Sequence, residues 1–239
     1  MPTDEVSPTT IAMLIYPDFT MLDLIGPHQV LTGVPGVAVD LVAKTAEPVI
    51  SDSQVAVIPT KTFADCRPTY DVLVVPGTRN THRMVEDAET LAFLRSVSAD
   101  ARYVTSVCTG SLILAAAGLL TGYRATSHWA FRRFLKAYGA LPEDGRIVVD
   151  RNRITGGGVT AGIDFGLHLA ATLVGEDAAK VRQLVMEYDP DPPYTVGTPD
   201  RADAGTRIRA EQRLAPLVAA MAAAAERTVT PEGADHATN

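Results

Sequence analysis

The sequence predicts an α/β protein with a mainly parallel sheet and helices on both faces. Strand-like and helix-like runs alternate along most of the 239 residues. The strand-like runs Thr9–Tyr16 and Asp71–Val75 are rich in apolar residues over their whole length, as expected of strands buried on both faces. Since 46% of the residues are hydrophobic, the chain can bury a sizeable core in one compact domain.

The first half of the chain shows strands separated by proline, glycine and aspartate turns. The predicted elements are a strand at Thr9–Tyr16, a loop over 18–27 that leads into a helix ending near Leu31, a strand at Gly36–Ala43, a hairpin at Val49–Pro59, a strand at Asp71–Val75 closed by Pro76-Gly77-Thr78, and an amphipathic helix at Thr90–Ala101.

The second half begins with the strand that leads to Cys108. The predicted elements are a strand at Tyr103–Val107, a helix at Thr109–Leu120 ended by glycines, a helix at His128–Tyr138 capped by Thr126 or Ser127, a hairpin formed by Arg146–Asp150 and Arg153–Thr155, helices at Thr160–Leu173 and Glu176–Tyr188, an irregular segment at Asp189–Pro199, and a helix at Thr206–Glu226 kinked at Pro216. We therefore expect one α/β domain over 1–200, followed at 201–239 by an Ala-rich helix and a flexible tail.

Composition and charge restrict the class of protein. A net charge of −7 argues against a general nucleic-acid surface, which needs a basic patch. The acidic first residues lack the pattern of a signal peptide, and the longest apolar run, Leu112–Leu120, is about half of the roughly 20 residues that a membrane span needs. We expect a cytoplasmic protein that acts on a small molecule.

The metal-ligating residues are scattered. The two cysteines, Cys66 and Cys108, belong to no CxxC or Cys/His cluster, and the five histidines form no HExxH or HxH pair. The sequence therefore predicts neither a structural metal nor another cofactor.

Cys108 lies where a strand meets the start of a helix. Unpaired backbone N–H groups and the positive end of the helix dipole converge there, and both favour thiolate over thiol. This placement indicates a nucleophile. An inert buried cysteine is the alternative that the local pattern leaves open, because free cysteine is among the most buried residue types.

The loops after Tyr16, Val75 and Val107 are expected at one edge of the sheet, because ligands of such folds bind at the carboxyl ends of the strands. Asp23 and Cys108 then share one candidate pocket. A carboxyl close to a thiolate does not readily ionise with it, so the pair holds a proton and supplies a nucleophile beside an acid. For Asp23, helix capping is the alternative.

Further residues complete the candidate site. The hydroxyl of Thr109 is available to position the substrate or a water molecule, and the N–H groups of Thr109, Gly110 and Thr78 form a candidate anion-binding nest beside Gly77. His128 and Trp129 are candidates for the mouth of the pocket, with core packing as the alternative for the single Trp. The glycine run at 156–158 permits close backbone approach.

Five ordered motifs between Ile11 and Asp200 resemble the PfpI-type superfamily of flavodoxin-like proteins. They are LDLIGPH (22–28), ARYVTSVCTGSL (101–112), ATSHWA (125–130), TGGGVTAGIDF (155–165) and EYDPDPPY (187–194). The resemblance implies a flavodoxin-like doubly wound sheet, a Cys108 nucleophile, an acidic partner at Asp23 and a homodimer. It also places Gly157 and Val159, in the fourth motif, among the candidate substrate-binding residues.

Two positions depart from the superfamily pattern. Thr78 stands where the loop commonly reads PGG, which argues against an anion-binding role of its N–H because a β-branched residue resists positive φ. Thr109 stands where the protease-like members have histidine, which argues against proteolysis. Related domains also precede the helix-turn-helix pair of AraC-type regulators, but the residues after Asp200 predict a single helix and no DNA-binding module.

The activity implied by the resemblance is hydration of an isonitrile to the N-substituted formamide, through a thioimidate on Cys108 with Asp23 as acid and base. We expect an apolar pocket, since isonitriles offer little to hydrogen-bond. Two alternatives stay open. One is a glyoxalase- or deglycase-like enzyme that uses the same cysteine, and the other is a non-catalytic redox sensor whose Cys108 becomes oxidised.

Overall fold

The computed structural model describes residues 7–229. The predicted flexible tail lies almost entirely outside these residues. The strands are β1 (Thr9–Leu14), β2 (Val37–Ala43), β3 (Val49–Ile50), β4 (Ala56–Val57), β5 (Lys61–Thr62), β6 (Val72–Val75), β7 (Tyr103–Val107), β8 (Arg124–Ala125), β9 (Leu141–Pro142), β10 (Ile147–Asp150) and β11 (Arg153–Gly156).

The helices follow or separate these strands, as the alternation in the sequence predicts. They are α1 (Met21–Leu31), α2 (Thr81–Met84), α3 (Ala88–Ser98), α4 (Gly110–Ala116), a 3₁₀ helix (Arg132–Tyr138), α5 (Ala161–Val174), α6 (Glu176–Val185) and α7 (Ala204–Val229).

The central sheet has seven strands in the order β10-β11-β7-β6-β1-β2-β5. Every neighbouring pair is parallel except β10 and β11, which form the predicted hairpin. β6, β7 and β11 lie side by side, with Val75 opposite Ser106 and Gly156 opposite Val107. This register brings the segments that follow the three strands together at one edge, and the predicted mainly parallel α/β fold is confirmed.

The helices cover the sheet in two groups. One group consists of α1, α5 and α6, and the other consists of α2, α3, α4, α7 and the 3₁₀ helix. Glycines bring α1 and α5 close. A Cβ on Gly162 would lie 3.1 Å from the Pro27 ring, and one on Gly166 would lie 3.0 Å from Val30. Since α1 carries Asp23 in its first turn, this packing fixes where that carboxyl points.

Several helix boundaries differ from the prediction. The predicted helix His128–Tyr138 is a 3₁₀ helix that begins only at Arg132, because neither proposed cap is free. Thr126 bonds to Thr155 and Gly145, and Ser127 bonds to the Cys108 carbonyl. The helix after Cys108 ends at Ala116 rather than Leu120, before the chain turns at Gly118 with a φ of 80°.

The C-terminal helix α7 packs on the rest of the fold. Met221 and Ala224 are fully buried in the core, and Arg227 pairs with Glu86 at 2.7 Å. No helix within residues 7–229 is long and apolar enough to cross a lipid bilayer. In the same residues, no three His, Cys, Asp or Glu side chains are grouped as ligands for a metal ion.

Candidate active site

Cys108 occupies a sharp turn between β7 and α4. Its φ is 56°, a left-handed conformation that a residue with a Cβ adopts only where the surroundings enforce it. The backbone N–H of Cys108 donates to the carbonyl oxygens of Gly156 at 3.1 Å and Gly157 at 2.9 Å. The turn is therefore held by the neighbouring strand β11, and strain of this kind is typical of functional sites.

Two hydroxyls fix the other side of this turn. Ser111 Oγ donates to the Cys108 carbonyl at 3.1 Å, and Ser127 Oγ donates to the same oxygen at 3.0 Å. Both backbone polar groups of Cys108 are thus satisfied, and the side chain, which is 5% exposed, projects from a rigid support. The local sequence predicts only a helix cap at Ser127, and nothing in it indicates this contact.

Asp23 lies beside the thiol and is fully buried. Its Oδ2 accepts a hydrogen bond from the Gly77 N–H at 2.9 Å, so the carboxyl joins α1 to the loop after β6 and does not cap its own helix. The carboxyl also interacts with the Cys108 side chain as a hydrogen-bond partner, while Oδ1 makes no hydrogen bond of regular geometry. The structure therefore brings the predicted pair together.

The protonation of this pair agrees with the sequence-based expectation for Asp23 and differs from it for Cys108. Burial raises the pKa of Asp23 to about 8, although the hydrogen bonds from Gly77 and Cys108 lower it in part. Burial and the nearby Asp23 carboxyl raise the pKa of Cys108 well above the usual thiol value. The prediction that the helix start favours the thiolate is wrong, because desolvation outweighs the N–H donors. At neutral pH the site presents a thiol and a carboxylic acid.

The hydroxyl of Thr109 is already engaged. It accepts a hydrogen bond from the Thr78 N–H at 2.9 Å and donates to the Thr78 carbonyl at 3.0 Å. It therefore connects the loop after β6 to the start of α4. Contrary to the prediction, this hydroxyl is not free to position a substrate. The predicted nest is also wrong in this respect, since the Thr78 N–H is consumed by this contact.

Two other backbone N–H groups point at the sulfur. The N–H groups of Val159 and Thr109 both donate to the Cys108 side chain and act to lower the pKa of its thiol. One comes from the turn before α5 and the other from the start of α4. This pair of donors is placed to stabilise negative charge that develops on sulfur.

Gly77 and Gly110 are required by close packing. A Cβ on Gly77 would lie 2.6 Å from the Thr109 nitrogen and 2.9 Å from Asp23 Oδ2, and one on Gly110 would lie 2.1 Å from the Val75 carbonyl oxygen. Gly110 therefore lets α4 begin directly against β6. Both glycines allow the backbone segments of the site to pack closely.

Tyr16 also belongs to the site, although its sequence pattern predicts only the end of a strand. Its hydroxyl donates to the Pro76 carbonyl at 2.6 Å, and its pKa is raised by burial and by the nearby Asp23 and Cys108. Because Tyr16 follows β1 at the same sheet edge as Cys108, the topology rule could have identified it.

A cavity of about 760 Å³ lies against the turn that contacts Cys108. Gly157 and Val159, which contact Cys108, form part of its wall, and His128 and Trp129 also line it. The Gly157 N–H donates to the Arg146 carbonyl, so this glycine contributes a surface rather than a free donor. Burial lowers the pKa of His128 to about 4, so its ring is neutral, with Nδ1 accepting a hydrogen bond from the Ala130 N–H.

The predicted apolar character of the pocket is wrong for this cavity. Four arginines and two aspartates contribute to its wall. Their convergence is not visible in the sequence, because they come from separate segments. They are Arg132, Asp144, Arg146, Asp200, Arg201 and Arg207.

With this geometry established, the chain can be compared with known proteins. It is 51% identical over 206 residues to the isonitrile hydratase of Pseudomonas putida, a match that covers 86% of this chain and 90% of that protein. A THiJ/PfpI family protein from Pseudomonas syringae superposes with a TM-score of 0.89 at 47% identity, covering 91% of this chain and 90% of that one. Drosophila melanogaster DJ-1beta shares the fold, with a TM-score of 0.68 at 23% identity over 77% of this chain and 100% of its own. Residues 9–172 match the model of the DJ-1/PfpI family, and the chain therefore belongs to that family.

Proposed function

We propose that this chain is an enzyme that hydrates isonitriles to N-substituted formamides, with Cys108 as nucleophile and Asp23 as acid and base. The observation that carries the proposal is the buried pair of thiol and carboxylic acid, in a chain 51% identical to an isonitrile hydratase. In this reaction the terminal isonitrile carbon accepts both a nucleophile and a proton, so the thiol and the acid must lie next to each other.

In the first step the Cys108 sulfur bonds to the terminal carbon of R–N≡C. That carbon takes the proton of Asp23, and the thiol proton passes to the carboxylate, so the acid is restored. The product is a thioimidate, R–N=CH–S–Cys108. The N–H groups of Val159 and Thr109 stabilise negative charge that forms on sulfur while its proton leaves.

In the second step water adds to the thioimidate carbon. The Asp23 carboxyl accepts a proton from water on one oxygen and gives its own proton to the nitrogen, which yields a tetrahedral adduct. When this adduct collapses, the C–S bond breaks, the carbonyl forms, and the hydroxyl proton returns through Asp23 to sulfur. The sum is R–NC plus water giving R–NH–CHO, with the enzyme regenerated.

The test is formamide production from an aryl and an alkyl isonitrile by the wild type and by three variants. We expect Cys108→Ala and Asp23→Asn to lose turnover, and Cys66→Ala to keep it, since Cys66 lies in a separate segment and its thiol donates only to the Phe63 carbonyl. Mass spectrometry of Asp23→Asn exposed to isonitrile reports whether an adduct forms on Cys108. Wild-type activity in Cys108→Ala, or no formamide from any isonitrile, would contradict the proposal.

The same variants distinguish the two alternatives left by the sequence. Consumption of methylglyoxal that is lost in Cys108→Ala, without formamide production, would indicate a glyoxalase- or deglycase-like enzyme. A gain of oxygen mass at Cys108 under peroxide, with no turnover of either substrate, would indicate a redox sensor.

A further inference from the structure

The cavity beside Cys108 has a charged far wall. Its near wall is the turn at 157–159, whose backbone contacts the Cys108 amide and thiol. The far wall includes Gly197 to Arg201 and, one turn into α7, Arg207. At about 760 Å³ the cavity lies within the size range of small-molecule sites, so one ligand can contact both the turn beside Cys108 and the arginines of this wall.

The arginines of the cavity differ in how far they are neutralised. Arg132 and Arg146 form ion pairs with Asp144 and Asp164. Arg207 pairs with Glu211 through Nε alone, at 2.9 Å, which leaves its terminal nitrogens as donors. Within residues 7–229, the Arg201 side chain forms no ion pair or hydrogen bond, so its guanidinium is the least compensated charge in the wall.

Two helix N-termini add to this positive potential. The 14-residue helix α5 begins at Ala161 and the 26-residue helix α7 begins at Ala204, and residues at or beside both starts line the cavity. The partial positive charges of both helix ends favour an anion near the arginines. Asp200 is the opposing carboxylate, since it also lines the wall and attracts Arg207.

We propose that the preferred substrates are isonitriles whose substituent ends in a carboxylate, and that Arg201 and Arg207 bind that carboxylate while the isonitrile carbon lies at Cys108. The assignment rests on the proposed hydration and specifies its substrate class. Arginine is suited to this role because its planar group donates parallel hydrogen bonds to both carboxylate oxygens.

The test uses pairs of substrates that differ in this charge alone: para-isocyanobenzoate and isocyanoacetate, each with its methyl ester. We expect the wild type to favour at least one acid over its ester in kcat/KM. Exchange of Arg201 and Arg207 together for alanine should lower kcat/KM for that acid by about tenfold or more and leave the esters almost unchanged. Arg209→Ala is the matched control, because Arg209 lies on α7 but does not line the cavity.

A binding measurement keeps this inference separate from the proposed function. Calorimetry on Cys108→Ala, checked for folding by circular dichroism, compares the product acid para-formamidobenzoate with its methyl ester. We expect tighter binding of the acid, weakened by the two arginine exchanges and by added salt. Equal binding of acid and ester would overturn the inference even if esters are hydrated. Preferential acid binding without turnover would support the anion site and contradict isonitrile hydration.

Discussion

At the residue scale, the site depends on a carboxyl that stays protonated at neutral pH. Asp23 is enclosed by α1 and the loop after β6, and its principal stabilising contact in the ionised form is the single N–H of Gly77. Burial outweighs that contact, which is why its pKa rises to about 8. The acid that the proposed mechanism needs for protonation of carbon is thus available at neutral pH.

This protonation predicts the pH profile of the enzyme. Turnover should be nearly constant below pH 8 and fall above it as Asp23 ionises, since the proton donor is lost. Asp52→Asn should move this alkaline fall to lower pH, because the negative charge of Asp52 contributes to the raised pKa of Asp23. The asparagine oxygen can still accept the hydrogen bond from the Met21 N–H. Profiles of kcat/KM for both proteins provide the measurement, and an unshifted fall would count against Asp23 as the titrating group.

The same carboxyl predicts a pH dependence of stability. The pKa of Asp23 is raised from its ordinary value of 3.8 to about 8, so the folded state retains a proton that the unfolded state releases between these two pH values. The free energy of unfolding should therefore fall as pH rises from 4 to 8, on the order of a few kcal/mol from this group. Urea unfolding of Asp23→Asn, whose amide carries no such charge, should show a smaller decrease. An equal decrease in both proteins would contradict the raised pKa.

At the element scale, a hydroxyl clamp connects two segments of the site. Thr109 at the start of α4 bonds twice to Thr78 in the loop after β6, which also carries the Gly77 N–H that holds Asp23. The Thr78 carbonyl has a second partner, the Thr81 hydroxyl at 2.6 Å, whereas its N–H depends on Thr109. The Thr109 side chain thus contributes to the relative position of thiol and acid.

Removal of the clamp should destabilise the fold and misplace the acid. Thr109→Val keeps the shape of the side chain but leaves the buried Thr78 N–H without its acceptor, at a cost of roughly 1–3 kcal/mol. We expect a lower midpoint in urea and a lower kcat, with the alkaline fall of the pH profile displaced. Thr109→Ser restores the hydroxyl and should recover most of both properties. If the serine variant is as impaired as the valine variant, the methyl group rather than the hydroxyl is responsible.

The sequence predicts helices and strands better than it predicts contacts between distant segments. The sequence predicts β7 at its observed bounds because apolar runs between breakers are local signals, and it predicts the β10–β11 hairpin because two strand-like runs are separated by only two residues. The short helix α2 was missed because its four residues are too few to show a period. The Ser127 contact and the convergence of the arginines were missed because both depend on segments far apart in the chain.

At the scale of the whole molecule, topology explains why the site could be predicted at all. Parallel neighbours β1, β6 and β7 end at one edge, so Asp23, Gly77 and Cys108 meet although up to 85 residues of sequence separate them. The rule that ligands bind at this edge needs no knowledge of side chains. The pKa values of the site groups could not be predicted without the side chains, because burial depends on the packing of α1 against α5. This explains the wrong expectation for the thiol.

The outer surface of α6 predicts how the molecule assembles. Val181, Leu184 and Val185 follow the i, i+3, i+4 spacing of one helix face and are 63%, 82% and 71% exposed. Apolar groups in such a cluster gain free energy when a partner removes them from water, and we expect this face to contact a second copy of the chain. Sedimentation equilibrium should give about twice the chain mass for the wild type. Leu184→Asp should shift the protein to the monomer, whereas Lys180→Ala, on the charged part of the same helix, should remain dimeric. A dimer that persists in Leu184→Asp would place the interface elsewhere.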